Sequence, residues 1–167
     1  MPEYYQGETL PLVMALHGGS GHGRQFLWSW LRAVRSDPCI LIAPTSSELT
    51  WSLMNPEADS QRLHGLVAYA QEHWTIDPER ILLTGMSDGG TFSYVCGLQS
   101  DSPFTHLAPC SASFHPVLME VVDPARAQGL PIYLMHGALD WMFPVSVAQE
   151  ANTALSAAGA KVVYRYI

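Results

Sequence analysis

The sequence has few basic residues and no long hydrophobic run. Lys and Arg number 8 among the 167 residues, against 15 Asp and Glu, so the formal net charge is −7. Because no basic stripe is present to neutralise phosphates, the composition argues against nucleic acid as a partner. No window approaches the ~20 consecutive apolar residues that a membrane-spanning helix needs, so we expect no membrane span.

Cysteine is also scarce. Cys39, Cys96 and Cys110 are far apart and odd in number, so they form neither a disulfide framework nor a C-x-x-C site. The histidines lack the spacings of a zinc site. We therefore predict no metal and no cofactor. The sequence carries no signal for an oligomeric state.

What the sequence does have is an alternation of short apolar runs and longer helix-like stretches. A chain of 167 residues with 48% hydrophobic residues is the size of one domain with a real core, so we expect a single domain over 1–167. The runs are apolar at consecutive positions, which predicts strands covered on both faces and an α/β fold with a mostly parallel sheet. The predicted strands are 12–16, 39–43, 80–84, 107–110, 131–135 and 162–167, and the predicted helices are 59–74, 89–98 and 145–158.

The strongest motif is Gly-Met-Ser-Asp-Gly-Gly at 85–90, between a predicted strand and a predicted helix. A strained turn with Ser87 at its apex pushes the hydroxyl out of the sheet, and the flanking glycines allow the sharp bend and close packing. Ser87 is therefore the candidate nucleophile. The alternative is an ordinary glycine-rich turn in which the serine caps the helix.

A glycine-rich segment, His-Gly-Gly-Ser-Gly at 17–21, follows the first predicted strand. A serine that attacks a carbonyl generates an oxyanion, and backbone N–H groups of glycines can stabilise it without obstruction by side chains. We predict that the N–H groups of Gly19 and Asp88 form this oxyanion hole. A phosphate-binding loop fits less well because no G-x-x-x-x-G-K-[ST] pattern and no nearby lysine are present. A flexible loop is the other alternative.

An acidic residue, Asp140, follows a later predicted strand within His-Gly-Ala-Leu-Asp at 136–140. An acid at this place can orient a catalytic histidine, and the order Ser87 then Asp140 matches one class of hydrolases. The alternative is a helix N-cap, for which Asp is favoured.

Together these motifs resemble the α/β-hydrolase superfamily, nearest to carboxylesterase/phospholipase and polyhydroxybutyrate-depolymerase-like serine esterases. The resemblance runs from about residue 12 to 167 and includes Ile-Asp-Pro-Glu-Arg at 76–80 and Pro144. It implies a three-layer sandwich and cleavage of small or medium carboxylic esters through an acyl-enzyme on Ser87. A thioesterase or a serine peptidase uses the same machinery and stays open.

The sequence departs from this pattern in its histidines. In the superfamily a histidine follows the acid, but all seven histidines here precede Asp140. We expect that 1–167 is an incomplete domain, lacking the first strands and the loop that carries the histidine. The chain start has no secretory layout, which favours the cytoplasm and leaves export open for a trimmed chain. A non-catalytic, hydrolase-like binding module is the rival interpretation.

Four further residues are candidate substrate contacts. Trp51 follows the end of the second predicted strand, and Trp141 follows Asp140. Both are candidate pocket walls. His22 lies in the glycine-rich loop, and His115 follows the fifth predicted strand, where it is also a candidate replacement base.

Overall fold

Six parallel strands form one sheet in the computed structural model, which describes residues 5–167. They are β1 (Leu10–Leu16), β2 (Ile40–Ile42), β3 (Ile76–Met86), β4 (His106–Cys110), β5 (Pro131–His136) and β6 (Lys161–Tyr166). Their order in the sheet is β2-β1-β3-β4-β5-β6, and every neighbouring pair is parallel. The predicted α/β fold class is confirmed, and each predicted strand is present with bounds shifted by a few residues.

Helices connect these strands. They are α1 (Gly23–Ser36), α2 (Glu57–His73), α3 (Asp88–Gly97), α4 (Leu118–Val121), α5 (Pro124–Ala127) and α6 (Val145–Ala157). Helices α2, α3 and α6 match the predicted ones, whereas α1, α4 and α5 were not predicted. No helix within residues 5–167 is long and apolar enough to cross a membrane.

Helix α1 was missed although its pattern is helical. Its half-buried apolar side chains recur at the spacing of one helix face, at Phe26, Trp30 and Val34. The glycines just before it favour a loop, yet His22 provides a signal for the start of the helix. Its side chain accepts a hydrogen bond from the Arg24 N–H as the helix N-cap.

The core is continuous on both faces of the central strands. Along β1, Leu12, Met14, Ala15 and Leu16 are fully buried, so neighbouring positions on opposite faces are both covered. Helix α3 packs against β1, β3 and β4, and α6 packs against β5 and β6.

The register of the strands brings their carboxyl ends to one edge. Met86 pairs with Cys110, and Cys110 pairs with Met135. The residues that follow continue this alignment, since the Ser87 N–H donates to Cys110 O at 2.9 Å and the Ser111 N–H donates to Met135 O at 2.9 Å. The loops that carry the candidate residues therefore meet at the same edge of the sheet, as expected for an α/β fold.

A buried carboxylate, Asp59 in α2, holds the connection between β2 and α2. Asp59 is 0% exposed and accepts hydrogen bonds from Ser47 Oγ at 2.7 Å, Ser52 N–H at 3.1 Å and Arg62 Nη1 at 2.9 Å. Burial alone raises the pKa of Asp59, but the hydrogen bonds from Ser47 and Ser52 together outweigh it and lower the pKa below its usual value.

Replacing this carboxylate should destabilise the fold. We expect Asp59→Ala to lower the free energy of unfolding by about 2–3 kcal/mol, since hydrogen bonds to charged groups contribute about 1.5–3 kcal/mol. Because the folded pKa is lowered, the stabilisation is complete above about pH 4 and disappears as pH falls through the folded pKa. In urea denaturation from about pH 7 down to pH 2, the free energy of unfolding should fall less steeply in Asp59→Ala than in wild type. The same pH dependence of the unfolding free energy in Asp59→Ala and in wild type would contradict this. An equal change in the exposed Asp101→Ala would contradict it as well.

Two glycines offer a matched test of packing at the start of α3. A Cβ on Gly89 would overlap the carbonyl groups of Leu16 and His17, whereas a Cβ on Gly65, within α2, meets nothing within 4 Å. We expect Gly89→Ala to lower the free energy of unfolding by about 3 kcal/mol. Gly65→Ala should raise it by roughly 0.5–1 kcal/mol through helix propensity. Urea denaturation measures both, and a Gly89→Ala variant as stable as wild type would refute the close crossing.

Candidate active site

Ser87 lies at a strained turn between β3 and α3. Its backbone has φ 55° and ψ −120°, a conformation that residues other than glycine rarely adopt. Ser87 precedes α3, but its side chain makes no capping hydrogen bond. The capping alternative therefore does not describe this serine, whose backbone lies at the carboxyl edge of the sheet.

The glycine-rich loop at 17–21 packs directly against this turn. A Cβ on Gly18 would lie 3.5 Å from Ser87 Cβ, and a Cβ on Gly19 would lie 2.6 Å from Asp88 Oδ2. No side chain larger than hydrogen fits at Gly19 without displacing the Asp88 carboxylate. The structure thus brings Gly19, Ser87 and Asp88 close together.

His17 anchors this loop from within the core. The ring is 1% exposed, its Nε2 accepts a hydrogen bond from the Ser46 N–H at 3.0 Å, and its Nδ1 lies 2.6 Å from Gly18 O. Because Nε2 is an acceptor, Nδ1 carries the proton and donates it to Gly18 O. At the other end of the loop, the Ser20 N–H donates to Leu49 O at 2.8 Å. The loop is therefore held at both ends rather than flexible.

Trp51 does not line a pocket, contrary to the prediction. Its side chain is 2% exposed, its ring stacks on Phe92 with 5.5 Å between ring centroids, and its Nε1 donates to His17 O at 2.8 Å. An indole buried this deeply needs a partner for its N–H, and the backbone of the glycine-rich loop supplies it. Trp51 supports the loop from the core side.

The Asp88 side chain is bonded to the segment that follows β2. The Thr50 hydroxyl donates to Asp88 Oδ2 at 2.6 Å. Sequence analysis selected Asp88 only for its backbone N–H and missed Thr50 altogether. A lone threonine in a loop has no sequence signal that connects it to the turn around Ser87.

Asp140 holds a tight turn before α6. Its Oδ1 accepts hydrogen bonds from the N–H groups of Met142 and Phe143, each at 2.9 Å, while Oδ2 lies 3.9 Å from His136 Nε2. The hydrogen bond from the Phe143 N–H is the main cause that keeps the pKa of Asp140 below its usual value. The residue before α6 is Pro144, so Asp140 is not the N-cap of this helix.

None of the histidines described within residues 5–167 hydrogen-bonds to the Ser87 hydroxyl. His136 is buried, and its Nε2 donates to Phe143 O at 2.8 Å. His115 is exposed, and its Nδ1 accepts a hydrogen bond from the Val117 N–H at 3.2 Å. The structure therefore does not bring His115 into contact with the candidate nucleophile.

A groove of about 280 Å³ opens beside the glycine-rich loop and Met86. His22, the candidate substrate contact, lies along it, and α1 contributes Gln25, Phe26 and Ser29. Sequence reasoning missed Gln25 and Ser29, although their spacing from His22 is that of one helix face. A larger cavity of about 530 Å³ opens at the start of β1, on the opposite edge, and contains none of the predicted residues.

Trp141 lies on the surface next to Asp140. Its side chain is 88% exposed, and its neighbour Leu139 is also exposed. It borders the site without closing a pocket. Among the described residues, no cluster of three or more His, Cys, Asp and Glu side chains is arranged to hold a metal ion.

Known proteins are similar to this chain in sequence or in fold. A bifunctional acetylxylan esterase/xylanase of Neocallimastix patriciarum is 27% identical over 135 residues, which cover 78% of this chain and 19% of that protein. A thermostable esterase superposes with a TM-score of 0.78 at 22% identity, over 99% of this chain and 48% of that one. A phospholipase/carboxylesterase from Dyadobacter fermentans has a TM-score of 0.71 at 19% identity, over 96% and 81%.

The two superpositions show the fold alone, since their identities are low. The chain spans about half the length of the esterase structure and about a fifth of the bifunctional relative. The family model described as phospholipase/carboxylesterase matches residues 55–166, which is well over half of the chain. This chain therefore belongs to the phospholipase/carboxylesterase family of α/β hydrolases.

Proposed function

We propose that this chain carries the acyl-transfer site of a serine ester hydrolase, with Ser87 as the nucleophile. The observation that carries the proposal is the strained backbone of Ser87, a residue that lies at the edge where the loops meet and whose hydroxyl is not used for capping. Strain of this kind persists where the surrounding structure enforces it, and it is concentrated at functional sites.

The oxyanion hole is formed by the backbone N–H groups of Gly19 and Asp88. The close approach of Gly18 to Met86 O and Ser87 Cβ supports this assignment, because it brings the backbone of the glycine-rich loop beside the turn that contains Ser87 and Asp88. The N-terminus of α3 starts at Asp88, so the helix dipole adds a favourable field for negative charge there.

The reaction proceeds in two transfers. Ser87 Oγ attacks the ester carbonyl carbon while a histidine takes the hydroxyl proton, and the carbonyl oxygen becomes the oxyanion. The C–O bond to the alcohol then breaks, the histidine protonates the departing alcohol, and the acyl group stays on Ser87. Water repeats the sequence, with the histidine as base, and releases the acid. Asp140 orients the histidine through Oδ2.

The histidine is the one group that the described residues do not supply. Ile167 lies beside the loop of Asp140, since its N–H donates to His136 O at 3.0 Å and its carbonyl accepts from the Ala138 N–H at 2.7 Å. In a longer polypeptide, residues that follow Ile167 would enter the site at this edge. We propose that the base comes from there. His115 is the alternative, and a non-catalytic binding module is the rival function.

The substrate is a carboxylic ester with a small group bound in the groove beside Gly19. A volume of about 280 Å³ suits a short acyl or alcohol group. The relative named an acetylxylan esterase acts, by that name, on acetyl esters, which supports a short acyl group here.

The first test is labelling of Ser87. In the full-length gene product, a fluorophosphonate probe should add once, at Ser87, as found by mass spectrometry of peptides. Hydrolysis of p-nitrophenyl acetate should exceed that of the octanoate. Ser87→Ala should lose the adduct and lower kcat by about 10⁴-fold or more, since the nucleophile is removed.

The control for labelling is Ser111→Ala, which removes another serine with positive φ at the same edge. It should keep the adduct at Ser87. A folded full-length protein that takes up no probe and hydrolyses no activated ester would refute the hydrolase proposal and favour the binding module.

Replacing the acid separates its two tasks. In Asp140→Asn the amide oxygen can still accept from the N–H groups of Met142 and Phe143, so we expect a change in unfolding free energy below about 1 kcal/mol. The charge that stabilises the imidazolium is lost, and kcat should fall by about 10²–10⁴-fold. Steady-state kinetics and thermal melts of the same preparation measure both. A fall in stability without a fall in kcat would show that Asp140 only holds its turn.

A further inference from the structure

The segment 45–52, between β2 and α2, forms hydrogen bonds to both parts of the proposed oxyanion hole, the loop at 17–21 and Asp88. Three of its hydrogen bonds reach the loop at 17–21. The Ser46 N–H donates to the His17 ring, the Trp51 Nε1 donates to His17 O, and Leu49 O accepts from the Ser20 N–H. The segment is itself anchored to α2 through the buried Asp59. Segment 45–52 therefore holds the loop that carries the Gly19 N–H.

A single hydrogen bond joins the same segment to the other donor. Among the described residues, Thr50 Oγ1 to Asp88 Oδ2, at 2.6 Å, is the one hydrogen bond between 45–52 and 85–90. Its acceptor is a carboxylate, and hydrogen bonds of this type are shorter and about twice as strong as neutral ones. It fixes the side chain of the residue that follows Ser87.

The position of this carboxylate matters because Gly19 lies against it. Asp88 Oδ2 occupies the space where a Cβ on Gly19 would be, at 2.6 Å. A carboxylate released from Thr50 can rotate to another staggered conformation. Because Oδ2 fills the space against Gly19, a carboxylate in another conformation no longer fixes the approach of Gly19, and the loop that carries this proposed oxyanion donor loses its position.

We propose that Thr50 is a positioning residue of the oxyanion hole. Its hydroxyl holds the Asp88 carboxylate toward segment 45–52 and thereby fixes the approach of Gly19 to the turn at Ser87. The proposal rests on the proposed function, since it assigns Gly19 and Asp88 to the oxyanion hole. Thr50 itself touches neither the substrate nor the reacting atoms.

Thr50→Val tests this role because valine has the shape of threonine but lacks the hydroxyl. In the full-length gene product with p-nitrophenyl acetate, kcat should fall about 10-fold, a part of the ~10²–10³ that loss of a whole oxyanion donor causes. KM should change less than about 3-fold, since the lost interaction belongs to the transition state. Inhibition by phenylboronic acid, which forms a tetrahedral adduct on serine, should weaken about 10-fold with kcat. Thr50→Ser keeps the hydroxyl and should restore kcat to within about 2-fold.

Thr45→Val is the matched control within the same segment. The Thr45 hydroxyl accepts from the Gly23 N–H at 3.1 Å, at the start of α1, and does not hydrogen-bond to the turn at Ser87. It also lies 3.4 Å from His22 Nδ1, but this nitrogen keeps its hydrogen bond from the Arg24 N–H when the hydroxyl is removed. Its removal should lower the melting temperature and leave kcat and boronate inhibition unchanged. An equal fall of kcat in Thr45→Val, or an unchanged kcat in a folded Thr50→Val, would overturn the proposal.

Asp88→Ala breaks the same hydrogen bond from its other end and keeps the backbone N–H. Once the carboxylate is absent, Thr50→Val should have no further effect on kcat. Effects that multiply in the double variant would show that Thr50 acts by another route. This pair also tests the proposal if Thr50→Val alone does not fold.

Hydrogen exchange measures the positioning without any ester. Backbone amides in peptides that cover 17–21 should exchange faster in Thr50→Val than in wild type, while those of β3 should not change. Unchanged exchange at 17–21 would refute the role of Thr50, even for an active enzyme. A protein that hydrolyses no ester but shows the faster exchange would refute the proposed function and support the positioning.

Discussion

The site depends on one close contact, the crossing of α3 over the ends of β1 and β3. A Cβ on Gly89 would overlap the carbonyl groups of Leu16 and His17, and a Cβ on Gly85 would overlap the backbone of Gly89. Helix and strands can approach so closely only because both positions lack a side chain. This contact forces the chain to turn sharply between β3 and α3, and Ser87 at its apex takes the strained conformation. The strain at Ser87 is therefore a consequence of packing around it.

Buried polar groups hold the loops around this contact in place. Polar side chains are costly to bury unless their hydrogen bonds are satisfied, and here each partner belongs to a loop of the site. His17 bonds to Ser46 and Gly18, Trp51 bonds to His17, and Asp59 bonds to Ser47 and Ser52. Because these bonds are satisfied only in one arrangement of the loops, the same interactions that stabilise the core also define the geometry at the edge.

The sequence predicted what local patterns encode and missed what packing decides. Apolar runs gave the strands, and the glycines around Ser87 gave the turn, since both are consecutive in the chain. Trp51 was expected on a pocket wall because it follows a strand end, yet its ring is buried beneath the loop. Its position depends on Phe92, which is distant in sequence. Thr50 gave no signal for the same reason, since its partner Asp88 is 38 residues away.

The two sides of the site differ in how they are held. On the side of Gly19, buried rings and a buried carboxylate fix the backbone. On the side of Asp140, the chain is held by its own turn, by the buried His136 ring and by the end of β6, and Trp141 and Leu139 are exposed. An oxyanion hole needs donors placed before the reaction, because reorganisation during the reaction costs catalysis. An acid needs only to keep its charge and one free oxygen near a histidine. The hydrogen bonds to Met142 and Phe143 lower the pKa of Asp140 and occupy Oδ1, so an exposed turn is sufficient there.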